Sequence, residues 1–99
     1  MKYSKRFLVY LRSRLDILVV IKEELGDVQF RKSGKDFISL CPFHKEKTPS
    51  FRVSVFKQIF HCFGCGIEGD VFSFVMFIKG FSFKETVKYL VKKYKIGGC

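Results

Sequence analysis

Cys41-Pro42-Phe43-His44, followed after seventeen residues by Cys62-Phe63-Gly64-Cys65-Gly66, is the part of this chain from which its fold can be read. Each pair of sulfur or imidazole side chains is separated by two residues, so both members can reach one ion from a single tight turn. Two such turns supply the four tetrahedral ligands that Zn²⁺ prefers. Gly64 and Gly66 offer the positive φ that a metal knuckle needs. With Cys41, His44, Cys62 and Cys65 all engaged, no position is left for water. The spacing therefore predicts one structural, four-coordinate zinc in a zinc ribbon and not a catalytic one.

The segment between the knuckles must bring them together. Ser50-Phe51-Arg52-Val53-Ser54-Val55 alternates polar and apolar residues, the pattern of a half-buried strand. Lys57 to Cys62 reads as its hairpin partner. Upstream, Val28-Gln29-Phe30 alternates, Lys32-Ser33-Gly34-Lys35 reads as a basic turn, and Asp36 to Leu40 as a further strand. Strand parity puts Phe60 and Cys62 on the core side and Lys57, Ile59 and His61 on the outer side, with Arg52 and Ser54 outward on the preceding strand. His61 is therefore not expected as a ligand, although it adjoins Cys62. Phe63, inside the second knuckle, reads as a packing residue, with base stacking as the alternative.

Helices flank this region. Residues 4–25 carry apolar side chains near a 3.6-residue period, with a break around 12–15, Asp16 capping a second helix and Gly26 as a stop. Asp70 to Lys79 is apolar on most sides and ends at Gly80. Ser82 and Glu85 then form a capping box for a last helix. Val87, Leu90, Val91 and Tyr94 line one face of it, and Lys84, Lys88, Lys92 and Lys95 line a solvated one. The fold class is α+β: a zinc ribbon with a small antiparallel sheet flanked by N-terminal and C-terminal helices. Residues 1–99 read as one domain, with a helical lead-in at 1–27, the ribbon at 28–66 and C-terminal helices at 67–99.

Composition narrows the function. Nineteen Lys and Arg against nine Asp and Glu leave a net charge of +10, which favours a polyanionic partner. Lys35, Lys47, Pro49, Arg52, Lys57, Ile59 and His61 together form a basic sheet surface. Single-stranded nucleic acid is bound on such surfaces through phosphates and stacked bases. No apolar run reaches transmembrane length and no cleavage site follows the basic N-terminus, so a cytoplasmic protein without a membrane partner is expected. The four cysteines fit metal in a reducing compartment better than disulfides, and Cys99, without a partner spacing, reads as a free thiol. The acids are scattered and suit charge balance. There is no clustered set to hold catalytic Mg²⁺, no Gly-rich phosphate loop and no nucleophile–base pair. The chain by itself reads as non-catalytic.

Cys41 to His44, Glu46-Lys47-Thr48-Pro49-Ser50-Phe51, Lys57 to Gly66 and Gly69-Asp70-Val71-Phe72-Ser73-Phe74-Val75-Met76 together resemble the N-terminal zinc-binding domain of bacterial DnaG-type DNA primases. The similarity extends back through Val28-Gln29-Phe30, the Lys35 region and Leu15-Asp16-Ile17. It departs at Lys22 to Asp27, which is longer than the family's spacing, and at Val19, where many relatives carry Asp. The resemblance implies a module that holds a single-stranded DNA template and helps select where RNA primer synthesis starts. It implies partners in a primase polymerase domain, in cis or in trans, and in a replicative helicase reached through the full-length protein. It also implies that Lys35, Lys47, Pro49, Lys57, Ile59 and His61 match the family's proposed template surface. The alternative is a stand-alone zinc ribbon that binds nucleic acid, or docks a polymerase domain in trans through surplus apolar surface on residues 70–79, without a primase role.

Overall fold

The computed structural model describes residues 3–26, 28–43 and 49–96. His44, Lys47 and Cys99 lie outside the described residues.

Two helices open the chain. α1 (Lys5–Ser13) is capped by the Ser4 hydroxyl, which accepts from the Phe7 N–H at 3.1 Å. α2 (Ile17–Leu25) is capped by Asp16, which accepts from the Leu18 N–H at 2.9 Å, and it stops at Gly26, whose φ is 73°. Both helices, the break between them and the Asp16 cap agree with the sequence reading.

Five strands form one antiparallel sheet in chain order: β1 (Arg31–Ser33), β2 (Asp36–Ser39), β3 (Phe51–Ser54), β4 (Ile59–Cys62) and β5 (Glu68–Gly69). The first strand is displaced from the expected Val28–Phe30. Lys32 and Ser33, expected in a turn, pair with Phe37 and Asp36 instead. The connection shrinks to Gly34-Lys35 because Gly34 takes a φ of 64°, which lets two residues close the hairpin. Phe30 precedes the strand and lays its ring 6.5 Å from that of Phe51.

The β3–β4 connection is longer than expected, so Lys57 and Gln58 belong to the turn and not to β4. Gln58 holds an uncommon positive φ of 56°. Its side chain compensates by bonding at both ends: Nε2 donates to the Val55 carbonyl at 2.7 Å, and Oε1 accepts the Ile17 N–H at 2.8 Å. One carboxamide thus shapes the hairpin and satisfies a donor in the first turn of α2. β5 was not foreseen, since two residues carry no periodicity.

Two helices close the described chain. α3 (Val71–Lys79) is capped by Asp70, whose Oδ1 accepts the Ser73 N–H at 3.0 Å, and it ends at left-handed Gly80. Asp70 also pairs with Arg12 at 2.9 Å, tying α1 to the start of α3. α4 (Phe83–Lys93) has the reciprocal Ser82–Glu85 capping box.

The core lies between sheet and helices. Phe51, Phe60 and Phe74 are fully buried, each stabilising the fold by roughly 1.5–3 kcal/mol through burial. Their ring centroids stand 5.6–6.5 Å apart, within the range of favourable aromatic packing. Val71, Phe72, Phe74 and Val75 consume most of the apolar surface of α3, while Phe77 remains half exposed.

Glu23 and Glu24 do more than balance charge. The Glu24 carboxylate is nearly buried, with 4% of its side chain exposed, and meets Lys93 at 2.8 Å, Lys79 at 3.2 Å and the Tyr89 hydroxyl. It joins α2, α3 and α4. Glu23 accepts from the Tyr94 hydroxyl.

Candidate metal centre and the outer sheet face

Cys41 follows β2, Cys62 ends β4 and Cys65 lies in the turn before β5. The β3–β4 hairpin carries Cys62 back beside Cys41, and the three sulfurs lie within 4.8 Å of one another. Cys41 and Cys62 are buried and Cys65 is exposed.

The donor set fits zinc. Two thiolates on one tetrahedral ion with bonds of about 2.3 Å stand roughly 3.8 Å apart. Cys41 and Cys65 are 3.9 Å apart. That separation is far longer than a disulfide bond of about 2.05 Å.

The surroundings favour negative charge at one sulfur. Burial raises the Cys62 thiol, but the Ser50 hydroxyl at 3.5 Å and the Cys65 N–H outweigh it and hold Cys62 down to about 6. Burial pushes Cys41 up to about 12, because the Phe43 N–H at 3.4 Å does not offset burial and the neighbouring sulfurs. Sulfurs packed this closely would repel one another as thiolates, and a bound cation would let them ionise together.

Local structure presents these sulfurs. In the second turn the Cys62 N–H bonds the Ile67 carbonyl at 2.8 Å and the Gly66 N–H bonds the Cys62 carbonyl at 2.7 Å. Gly66 takes the positive φ, 81°, whereas Gly64 does not, contrary to the expectation for both. In the first turn Phe43 is the anchor. Its ring lies 5.8–6.1 Å from those of Phe51, Phe60, Phe74 and Phe77, pinning the turn to the core. The sequence reading missed this role, although an aromatic between two ligand positions could have signalled it.

The opposite face of the sheet carries the second feature. His61 pairs across β3 with Arg52, and Ile59 with Ser54. Arg52, Ser54, Lys57, Ile59 and His61 line one cavity of about 250 Å³ together with Asp36, Phe60 and Phe63. Four predicted surface residues, Arg52, Lys57, Ile59 and His61, are therefore brought together. Lys35, in the β1–β2 turn, and Pro49, ahead of β3, are exposed but do not line it.

Two members of the face were unforeseen. Asp36 pairs with Arg52 at 3.0 Å, and Glu68 meets His61 Nδ1 at 3.0 Å. Phe63 is 69% exposed, contrary to its expected packing role. It lies in the turn beyond the end of β4, and its ring centroid is 4.3 Å from that of His61.

A five-stranded antiparallel sheet, helices at both ends and a cluster of cysteines from two turns define a zinc ribbon. Residues 3–98 match the family described as CHC2 zinc finger, and the chain belongs to that family. It is 52% identical over 83 residues to the DNA primase of Halalkalibacterium halodurans, covering 84% of this chain and 13% of that protein. The DNA primase of Geobacillus stearothermophilus gives the same identity over the same length and shares. The DNA primase of Neisseria meningitidis serogroup B is 45% identical over 87 residues, covering 88% of this chain and 14% of that protein. Among solved structures, the Aquifex aeolicus primase, comprising zinc-binding and RNA polymerase domains, superposes with a TM-score of 0.78 at 43% identity. That likeness covers 87% of this chain and 21% of the Aquifex chain. The chain thus spans about an eighth of the length of the curated relatives it matches. Among the described residues no helix is long and apolar enough to cross a membrane.

Proposed function

We propose that this chain is the template-binding zinc module of a DNA primase, which holds single-stranded DNA and helps select the site where RNA primer synthesis begins. Residues 1–99 act as one domain in this reading. One zinc is held by Cys41, His44, Cys62 and Cys65; it stabilises the two turns and takes no part in chemistry. The observation that carries the reading is the division of β4. Cys62 is buried among the sulfurs, while the residue before it, His61, opens onto the outer face. Metal on one side would thereby stiffen the surface that meets DNA on the other.

Lys57 is exposed at the groove and, among the described residues, has no ion pair, so it is free to meet a phosphate. Ile59 and His61 offer contacts to a base, and Arg52 lies beside them. Lys35, Lys47 and Pro49 extend the surface beyond the groove. The module is not itself catalytic. It serves a primase polymerase domain in cis or in trans, reaches the replicative helicase through the full-length protein, and works in the cytoplasm beside the replicating DNA.

The test is an anisotropy titration of the zinc-loaded chain with labelled single-stranded and duplex DNA at increasing salt. Binding should favour the single strand and weaken as salt rises, because lysine–phosphate contacts release counterions. Adding the chain to a primase polymerase domain lacking its own zinc module should restore the choice of initiation site. Absence of single-strand binding at low salt would refute the proposal.

A further inference from the structure

We propose that Phe63 is the residue on which one unpaired nucleobase stacks. This deepens the reading of the chain as a single-stranded DNA module and rests on it. Neither the knuckle pattern nor strand parity singled Phe63 out; its surroundings do.

A phenylalanine left 69% exposed gives up most of what its burial would contribute. Phe63 is also held in place. Its N–H bonds the Ser50 carbonyl at 2.9 Å, and it stands between Cys62 and Cys65 in the turn that presents both sulfurs. A rigid backbone lowers the entropy lost when a partner orders the ring. On one side the ring is braced by His61, at 4.3 Å between centroids. It also borders the cavity of about 250 Å³ whose far rim carries Lys57 and Ile59.

Charge selects the occupant. The polar groups at the centre of the groove already have partners, Arg52 in an ion pair with Asp36 and His61 in a hydrogen bond with Glu68. Little net charge remains there to attract a phosphate. Among the described residues, the cation of the groove without an ion pair is Lys57. A ligand that fits places its anion at the edge and a flat, weakly polar ring inside. A nucleotide of a single strand does so, and the net charge of +10 draws that strand to the protein. Duplex DNA keeps its bases stacked and cannot offer one.

The test compares the zinc-loaded chain with Phe63→Ala and Phe63→Trp, after zinc content and circular dichroism confirm that each is loaded and folded. A short oligonucleotide carries a single abasic site walked along its length. The parent chain should lose affinity sharply at one abasic position. Phe63→Ala should bind the intact strand about 5- to 150-fold more weakly, the range expected for one lost base–aromatic stack. It should also no longer distinguish that abasic position, and its salt slope should be unchanged. Phe63→Trp should keep the affinity, and its fluorescence should be quenched on binding. If Phe63→Ala binds as the parent does and shows the same abasic profile, the stacking role is overturned while the single-strand reading survives. If the parent chain binds no single strand at all, both fall together.

Discussion

Arg52 and His61 face each other directly across β3 and β4, and each is answered by a carboxylate of its own, Asp36 and Glu68. The outer face of the sheet is therefore not a uniform cationic strip. Its middle holds an ion pair and a histidine–carboxylate hydrogen bond, and among the described residues Lys57 is the cation of the groove without an ion pair. This separates residues that a count of lysines and arginines would treat alike.

The separation can be measured through the salt dependence of single-strand binding. Replacing Lys57 with Ala should lower the slope of log K against log salt by about 0.7–1, the contribution of one phosphate contact. The charge-conserving double substitution Asp36→Asn with Arg52→Gln should leave the slope as it is. Equal slopes for Lys57→Ala and the parent would remove Lys57 from the contact set.

Metal should be integral to the fold. Elemental analysis should find one zinc per chain, and a strong chelator at neutral pH should abolish native circular dichroism. Structural zinc contributes an apparent free energy of about 10–16 kcal/mol in zinc-finger peptides, comparable to or larger than the stability of a whole small domain. Cys62→Ser should have the same effect as chelation. A metal-free chain with an unaltered spectrum would contradict both the ligand set and the argument built on it.

Glu24 should act as a pH-dependent lock between helices. Burial alone would raise its pKa, but hydrogen bonds from Lys93, Tyr89 and Lys79 prevail and hold it below the ordinary 4.5. A carboxylate with a lower pKa when folded stabilises the native state fully above the unfolded value. That contribution is lost as pH falls below 4.5 and through the folded value. Glu24→Ala should cost about 2–3 kcal/mol at neutral pH, the scale of hydrogen bonds to a charged group whose lysine partners are partly exposed. Urea titrations of the zinc-loaded parent and variant at pH 7 would check this, because at the pH where Glu24 protonates the cysteine ligands would protonate too and release the metal.

Gly69 is required for space. A Cβ built there would lie 2.4 Å from the Ser73 Cβ and 2.6 Å from its Oγ, in the first turn of α3. Gly69→Ala should destabilise by about 1–3 kcal/mol through overpacking. Ser73→Ala should not relieve it, because the nearest clash is with the Cβ that alanine keeps. Ser73→Gly removes that atom and should recover part of the loss. Thermal melts of the two double variants test the contrast.

Much of this was legible beforehand. Asp16, Ser82, Glu85 and Gly80 mark helix ends because their preferences act over one turn, and all four perform those roles. The alternation of Phe51 and Val53 with Arg52 and Ser54 placed β3 and oriented its faces, since a strand repeats every second residue. The spacing of Cys41, Cys62 and Cys65 announced a cluster that the hairpin duly assembles. The start of β1 was misplaced because alternation over Val28–Phe30 is too short to outweigh pairing with β2.

Local rules of this kind let the amino-acid order alone determine the helices, the hairpin and the metal-binding character of the chain. Tertiary structure alone decided that Glu24 is a buried hub of three helices, that Arg52 is matched by Asp36, and that Phe63 stands open beside His61. The first two depend on which distant side chain arrives at 2.8–3.2 Å, and the third on no other element covering the Phe63 ring. Burial and charge matching belong to the packed neighbourhood, and no window of sequence contains it.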